Sequence, residues 1–261
     1  MTRTEQIDFL IERLLDDMPR YREQAAQFPA DEISRRRLLR SLMNVRPPMP
    51  LKAEFLAVQD ALLSAEAADR GAADAEELPA SAVPGVVLWQ GDITRLKADA
   101  IVNAANSALL GCFIPCHGCI DNAIHSAAGL QLRDECARIM AAQGHEEPAG
   151  RAKLTGAYNL PSGHVIHTVG PIVQGAVTYK DRQELKSCYR SCLSLAAENA
   201  LRSIAFCCIS TGEFHFPNDE AAKIAVDTVK EFLGRHGGMR VVFNVFRDAD
   251  YEIYRKLLAA D

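Results

Sequence analysis

The fold is decided by Val86-Val-Leu-Trp-Gln-Gly-Asp-Ile-Thr-Arg-Leu-Lys-Ala-Asp-Ala-Ile-Val-Asn-Ala-Ala-Asn106, in which two short apolar runs each end in a polar loop. The runs Val86-Val-Leu-Trp89 and Ala100-Ile-Val102 are typical of buried strands. The loops Gly91-Asp-Ile-Thr94 and Asn103-Ala-Ala-Asn106 carry short polar side chains. In sheets covered by helices, ligands bind at the carboxyl ends of the strands, so these loops predict a ligand site.

Strands and helices alternate through the rest of this part of the chain. Further strands are predicted at residues 164–169, 203–209 and 239–246, and helices at residues 121–140, 181–200, 218–234 and 250–259. Gly129 is expected to break or kink the first of these helices, because glycine is a poor helix former. This alternation predicts an α/β fold with helices on both faces of a sheet.

The N-terminal quarter has a different pattern. Residues 1–66 carry apolar side chains at steps of three and four, which predicts amphipathic helices with one buried face each. Residues 67–85 are rich in Ala, Asp, Glu and Pro without an apolar period, and this composition predicts a linker. The expected organisation is a helical N-terminal extension at 1–66, a linker at 67–85 and an α/β domain at 86–261.

Composition narrows the class of protein. The chain has 261 residues, 48% of them apolar, which suffices for one large domain with an appendage. A net charge of −5 argues against a nucleic-acid partner, which requires a basic surface. The run Arg35-Arg36-Arg37 is interpreted as a solvated helix face rather than an anion site.

The length of the apolar runs and the spacing of the cysteines predict where the protein is located. No apolar run approaches the roughly 18 to 20 residues that a bilayer crossing needs, so no membrane contact is expected. Eight cysteines, three of them within eight residues, suit a metal site in a reducing compartment better than a disulfide framework. We expect a cytoplasmic protein.

The densest group of reactive side chains lies in Leu110-Gly-Cys-Phe-Ile-Pro-Cys-His-Gly-Cys-Ile120, directly before Asp121. Cys112, His117 and Cys119 can supply two thiolates and one imidazole to one Zn²⁺ ion. Three protein ligands leave one coordination position free, as catalytic zinc requires. The sequence therefore predicts a catalytic zinc site.

Three other interpretations fit parts of this stretch. Cys116 as a fourth ligand would close the site into a structural one, although adjacent residues rarely bind one metal. Cys116-x-x-Cys119 is also the spacing of a redox pair. Pro115-Cys-x-x-Cys119 copies half of the zinc deaminase signature, but that signature needs an upstream His-x-Glu and residues 1–116 contain no histidine.

A third loop completes a family pattern. Ile209-Ser-Thr-Gly-Glu-Phe-His-Phe-Pro217 follows a predicted strand and offers free backbone amides that suit phosphate. Together with Gly91–Asn106 and Cys119-Ile-Asp-x-Ala-Ile-His-x-Ala-Ala-Gly129, it resembles the macrodomain family of ADP-ribose-binding proteins over about residues 85–260. Most macrodomains have a glycine-rich run where this chain has residues 111–119. That departure, with the helical extension, resembles the zinc-dependent branch, the microbial protein-ADP-ribose hydrolases.

The resemblance implies a three-layer α/β/α sandwich with a mixed sheet, and it assigns ligand contacts. Asp92 would accept a hydrogen bond from the adenine amino group beside the Ile93 amide, and Phe246 would pack on the adenine. Phe216 would lie against the distal ribose, and Asn106 would bind its hydroxyls. The diphosphate would be held mainly by the backbone of Ser210, Thr211, Gly212, Glu213 and Phe214. The family often has glycine at the position of His215.

The reaction that the resemblance implies is hydrolysis of the bond between C1″ of the distal ribose and a side chain of a mono-ADP-ribosylated protein, releasing ADP-ribose. An ester to an acidic residue is favoured, because an acyl group leaves more readily than guanidinium nitrogen. Asn106 and Asp121 are the predicted catalytic residues, with Asp121 either a general base or only a helix cap. His125 is interpreted as a helix-packing histidine.

Two other functions use the same pocket. A reader would bind ADP-ribose without cleaving it, and fold alone does not separate reader from enzyme. A hydrolase of small ADP-ribose esters, such as O-acetyl-ADP-ribose, is the other alternative.

Overall fold

The N-terminal part of the chain folds into four α-helices with their own apolar core. In the computed structural model, which describes residues 1–259, these helices are α1 Arg3–Asp17, α2 Arg22–Ala25, α3 Glu32–Val45 and α4 Ala53–Arg70. Thr2 and Glu5 form a capping box at the start of α1, and Asp31 caps α3. The predicted apolar stripes face one another, and their core includes Ile7, Leu10, Leu14, Leu39 and Leu62.

The segment 67–85, which the sequence predicts as a linker, contains the end of α4 and one short strand. Helix α4 continues to Arg70, and β1 Ala73–Asp74 pairs in parallel with β3 Leu96–Lys97. Ala75 is fully buried, and its carbonyl accepts a 2.6 Å hydrogen bond from Nε of Arg240. Backbone pairing and one small buried side chain hold the segment in place, and neither leaves an apolar period in the sequence.

The α/β domain contains a six-stranded mixed sheet. Its strands are β2 Val86–Gln90, β4 Ala100–Ala105, β5 Ala152–Gly156, β6 His164–Val169, β7 Ser203–Phe206 and β8 Arg240–Val245. They lie in the order β2-β8-β7-β4-β6-β5. Every neighbouring pair is parallel except β5 and β6. The carboxyl ends of β2, β4, β7 and β8 therefore share one edge of the sheet, where the polar loops follow.

Helices cover the sheet, so the predicted α/β fold with a mixed sheet and preceding helices is confirmed. They are α5 Ile120–Ala128, α6 Leu130–Gln143, α7 Tyr179–Glu198, α8 Asn218–Arg235 and α9 Asp248–Leu257. Gly129 separates α5 from α6 at a φ of 99°, a left-handed conformation that favours glycine, so the predicted break is confirmed. The last two residues of the predicted domain, 260 and 261, lie outside the described residues.

No helix within residues 1–259 has both the length and the hydropathy that crossing a bilayer requires.

Candidate active site

Two asparagines at the carboxyl end of β4 converge on one carboxylate. Asn103 is fully buried, and its Nδ2 donates to Oδ1 of Asp121 at 2.8 Å. Asn106 donates through Nδ2 to Oδ2 of Asp121 at 3.3 Å and to the Gly111 carbonyl at 3.1 Å. The structure thus brings together the two predicted catalytic residues, Asn106 and Asp121, and adds Asn103, whose role the sequence left open.

Asp121 does not cap helix α5. The N-cap is Cys119, whose Sγ accepts a hydrogen bond from the Asn122 amide at 3.4 Å. Asp121 lies in the first turn with 5% of its surface exposed, and its carboxylate faces the two asparagines. Burial raises the pKa of Asp121 to about 6, against the opposing hydrogen bond from Asn103. This carboxylate is mostly ionised at neutral pH and still basic enough to accept a proton.

The three predicted metal ligands lie together in the loop before α5, and we call Cys112, His117 and Cys119 the loop triad. Their ligand atoms all lie within 4.8 Å of one another, and Cys112 Sγ is 3.7 Å from His117 Nδ1. Typical zinc bond lengths in a tetrahedron put sulfur and nitrogen ligands about 3.6 Å apart. The donor set and this spacing are compatible with zinc.

Electrostatics at the loop triad favour a cation. Burial raises the pKa of Cys119 to about 12, the Asn122 amide lowers it, and the nearby Cys112 raises it further. The Cys119 thiol therefore keeps its proton unless a nearby positive charge compensates the thiolate. A metal cation bound at the loop triad would supply that charge.

Cys116 points away from the loop triad. Its φ is 51°, and its Sγ lies 3.3 Å from Ser41 Oγ and 3.6 Å from the Arg37 carbonyl. Its amide donates to Asn44 Oδ1 at 2.9 Å. The turn directs this side chain toward α3, so the geometry does not support either a fourth cysteine ligand or a Cys116–Cys119 redox pair.

Helix α3 also fixes the loop on its other side, which the sequence did not indicate. Arg40 donates through Nη2 to the His117 carbonyl at 3.3 Å and to Asn122 Oδ1 at 2.7 Å. Asn122 in turn donates through Nδ2 to the Ile114 carbonyl at 2.9 Å. These contacts join residues 77 and 82 positions apart, and no local pattern reports such long-range pairs.

The side of His117 opposite Cys112 faces a carboxylate. His117 Nε2 lies 3.7 Å from Glu213 Oε1. Histidines that bind metal through one ring nitrogen usually direct the other toward a carboxylate or carbonyl, which orients the ring and increases its basicity. Glu213, which the sequence assigned only to ligand binding, therefore connects the loop triad with the loop at 210–217.

The 210–217 loop presents unused backbone donors. Ser210 and His215 have φ values of 65° and 57°, and the Phe216 amide closes the turn on the Ser210 carbonyl at 2.9 Å. The left-handed φ of His215 is a backbone conformation that glycine adopts more readily than other residues. Within the described part of the chain, three successive amides have no acceptor, those of Gly212, Glu213 and Phe214. Such amides form an anion-binding surface.

Thr211 lies inside this turn, and a glycine from a neighbouring loop packs against its first residue. Thr211 donates through Oγ1 to the Cys208 carbonyl at 3.0 Å. A Cβ at Gly170 would lie only 2.0 Å from Ser210 Oγ, so only glycine permits this approach. The buried Ser210 hydroxyl has no partner among residues 1–259.

The Phe216 side chain lies beneath the 210–217 loop. The sequence places it against the distal ribose, but its side chain is 1% exposed and belongs to the main apolar core. The left-handed turn at His215 directs the ring inward. Phe216 supports the loop from below, and its ring offers almost no surface to a ligand in this conformation.

The predicted adenine end lies at the neighbouring strands β2 and β8. Asp92 Oδ1 accepts hydrogen bonds from the amide and hydroxyl of Thr94 at 2.9 and 2.8 Å, and the Ile93 side chain is buried. Phe246, directly after β8, is 77% exposed. The Gly91 amide donates to the Val245 carbonyl at 3.0 Å, which holds these two loops side by side. An exposed aromatic ring beside a carboxylate suits a nucleobase.

A second cysteine–histidine group lies beneath Asp121, and we call His125, Cys136 and His167 the core triad. Its ligand atoms also lie within 4.8 Å of one another, but all three side chains are buried. Burial lowers the pKa of His125 strongly and that of His167 to about 4. His125 contributes to packing between α5 and the sheet, as the sequence suggests, and it lies 3.5 Å from Asp121.

Comparison with known proteins gives the family. The chain matches the family model described as Macro domain over residues 102–225. It is 51% identical to a protein-ADP-ribose hydrolase of Treponema medium, an alignment that covers 99% of this chain and 100% of the relative. It is 47% identical to a protein-ADP-ribose hydrolase of Staphylococcus aureus, with 96% of both chains covered.

Solved structures agree with this relationship. A Trypanosoma brucei macrodomain in complex with ADP-ribose is 34% identical to the chain, with a TM-score of 0.64. The match covers 83% of this chain and 94% of that one. The likeness thus extends beyond the sheet into the N-terminal part, because residues 86–261 alone make up a smaller share.

Proposed function

The chain belongs to the macrodomain family, and from that premise we propose that it is a zinc-dependent hydrolase that removes mono-ADP-ribose from modified protein side chains. The activity is supported by relatives that align with nearly the whole chain and are named protein-ADP-ribose hydrolase. The observation that carries the proposal is the convergence of Asp121, Asn106 and the loop triad. Asn106 bridges the carboxylate of Asp121 and the Gly111 carbonyl at the start of the loop at residues 110–120, which we call the triad loop.

The zinc ion would be held by Cys112, His117 and Cys119. When bound there, zinc supplies Lewis acidity and fixes the orientation of the sugar end of the ligand. Glu213 would keep His117 in the tautomer that binds through Nδ1.

The remaining residues of the site bind the ligand along the sheet edge. Asp92 and Phe246 would hold the adenine at the ends of β2 and β8. The free amides from Gly212 to Phe214 would hold the diphosphate, whose charge they complement. These contacts lie away from the reacting carbon, and their binding energy serves to position it.

Asp121 is the proposed general base. A water oxygen bonds to C1″ as the bond from C1″ to the side-chain oxygen breaks, and the water proton passes to Asp121. The leaving carboxylate departs with the electron pair of the broken bond. Asn103 and Asn106 hold the Asp121 carboxylate in place, and Asn106 would also orient the ribose hydroxyls. We propose acidic-residue esters as the linkage, because a carboxylate needs no protonation to leave at neutral pH.

The proposal is tested by metal analysis of the purified protein combined with an ADP-ribose release assay on mono-ADP-ribosylated protein, with and without chelator. We expect about one zinc ion per chain and release that chelator abolishes and zinc restores. Tight ADP-ribose binding without release would instead show a reader. Faster release from O-acetyl-ADP-ribose than from modified protein would show a hydrolase of small esters.

A further inference from the structure

The three successive arginines of α3 have different environments. Arg35 forms an ion pair with Asp8 at 2.7 Å, and Arg36 forms one with Glu66 at 2.6 Å. Arg37 is exposed, and no carboxylate lies within ion-pair distance of its guanidinium in the part of the chain that the structure describes. The sequence predicts that all three arginines lie on a solvated helix face. The structure instead pairs two of them with carboxylates and leaves Arg37 without such a partner in the described residues.

Arg37 lines a cavity of about 620 Å³ between α3, α4 and the triad loop, which we call the arginine cleft. Its lining contains five arginines, two carboxylates, Ile33 and Cys116. Arg70, at the end of α4, is exposed like Arg37. The cleft is thus locally positive in a chain whose net charge is −5, and such a local excess attracts anions.

The arginine cleft adjoins the reacting end of the proposed site. Cys116 lines the cleft and directly precedes His117. Arg40 also lines the cleft and donates to the His117 carbonyl at 3.3 Å. On the same loop, Phe113 and Ile114 are 40% and 57% exposed. A protein attached at C1″ beside the loop triad would lie next to this exposed loop, which brings the cleft within reach of residues near the modified side chain.

We propose, resting on the proposed function, that the arginine cleft binds an acidic segment of the modified protein next to the ADP-ribosylated residue. Carboxylates of that segment pair with Arg37 and Arg70, the two exposed arginines of the cleft lining that form no ion pair within residues 1–259. A nucleic acid is a poorer partner, because the rest of the surface carries a negative excess. The cleft selects among modified proteins, and the macrodomain pocket recognises the ADP-ribose that they share.

The test compares two charge reversals of equal size. The double variant Arg37→Glu/Arg70→Glu changes the cleft, and Arg20→Glu/Lys52→Glu changes exposed cations outside it. Lys52 precedes α4 and Arg70 ends it, so these two positions lie at opposite ends of one 18-residue helix. A neutral variant, Arg37→Gln/Arg70→Gln, controls for repulsion and for any loss of folding caused by glutamate at a helix end.

The substrates are two peptides ester-linked to ADP-ribose, one with acidic and one with neutral flanking residues. In the cleft reversal we expect kcat/KM for the acidic peptide to fall about tenfold through KM, an effect that salt weakens. The neutral variant should show a smaller loss in the same direction. The control reversal, the neutral peptide and the affinity for free ADP-ribose should all stay within about twofold of wild type.

Binding of the acidic peptide without ADP-ribose, measured by fluorescence anisotropy, separates the inference from the proposed function. Absence of turnover on every substrate would refute the hydrolase, while weaker peptide binding in the cleft reversal would still support the cleft. Equal losses in the cleft and control reversals, or equal affinity for acidic and neutral peptides, would overturn the inference. Preferred binding of a single-stranded RNA of the same charge would overturn it in favour of a nucleic acid.

Discussion

The loop triad and the core triad contain similar donors at similar spacing, yet only one of them suits a metal ion. The loop triad is half-buried on an irregular loop, whereas the core triad is enclosed between α5, α6 and the sheet. In the core, His167 already has partners on both ring nitrogens. Asn103 Nδ2 lies 3.1 Å from Nδ1, and Thr155 Oγ1 lies 3.0 Å from Nε2.

The number of donor atoms alone does not define a metal site. Both ring nitrogens of His167 have hydrogen-bond contacts with neutral side chains, so a metal bound there would displace one of these partners. His117 faces a thiol on one side and the carboxylate of Glu213 on the other, which is the environment of a metal-binding histidine. We therefore expect one zinc ion per chain, in the loop triad.

Removing one side chain of the loop triad should have the largest effect on bound zinc and on activity. Cys119→Ala should reduce bound zinc from about one ion per chain to almost none and lower ADP-ribose release by about a thousandfold or more. Cys116→Ala is the matched control, because its sulfur faces Ser41 and not the triad, and it should keep both zinc and activity. Mass-spectrometric metal analysis and chromatographic assay of released ADP-ribose measure both. Zinc loss in Cys116→Ala would show a closed four-ligand site.

The next test separates the carboxylate from the metal. Asp121→Asn should keep zinc but lower kcat by about a hundredfold to a thousandfold, because the general base is lost. Chromatographic release assays and metal analysis on the same preparation measure this pair of effects. Full activity in the variant would contradict the role of Asp121 as base.

Asp121→Asn should also change stability, with a sign set by the raised pKa. The pKa of Asp121 rises from 3.8 to about 6 on folding, so the folded state binds more protons in that window. Its contribution to stability is therefore present at low pH and is lost as pH rises through about 6. Zinc-free Asp121→Asn should be more stable than zinc-free wild type at pH 7.5, by up to about 3 kcal/mol, and equally stable near pH 3.5. Urea unfolding at the two pH values measures the difference.

A smaller effect, on zinc affinity, is expected from the carboxylate that faces His117 Nε2. Glu213→Gln should weaken zinc affinity about tenfold, because an amide supports the imidazole less than a carboxylate does. Asp219→Asn, an exposed carboxylate in the first turn of α8, is the control and should leave zinc affinity unchanged. Competition with a chromophoric chelator measures both. Unchanged affinity in Glu213→Gln would remove Glu213 from the metal site.

The smallest effect concerns the core triad. Cys136→Ala should leave zinc at one ion per chain and activity nearly intact, and it should lower the free energy of unfolding by about 1 to 2 kcal/mol, because it leaves a small cavity. Metal analysis and urea unfolding of the same variant check both. Loss of a metal ion in this variant would show that the core triad binds one.

The sequence was most informative where function depends on strand ends. Asn106 and Asp121 were predicted as catalytic from the resemblance to the macrodomain family, and the fold brings them into contact at 3.3 Å. The direction of Cys116 was not readable, because it depends on a single left-handed φ. The ion-pair partners of Arg35 and Arg36 were equally hidden, since these partners are Asp8 and Glu66 in other helices.

The same limit explains Phe216 and the segment 67–85. Whether an aromatic ring after a phosphate-binding turn points outward or inward depends on one backbone angle, at His215. A short strand such as β1 is held in place by pairing with another strand, here β3. A strand of two residues is too short to show an alternating apolar pattern in the sequence. Patterns report faces of regular elements, whereas turns and long-range pairs require the folded chain.

The attachment of the triad loop to α3 restricts how this chain can be rearranged. Asn44 holds the Cys116 amide and Arg40 holds the His117 carbonyl, so the bundle acts as a scaffold for the reactive loop. Grafting residues 110–120 alone into a macrodomain without these helices would transfer the ligands but not their placement. Protein engineers who move this site, and recombination events that shuffle it, must carry both pieces together.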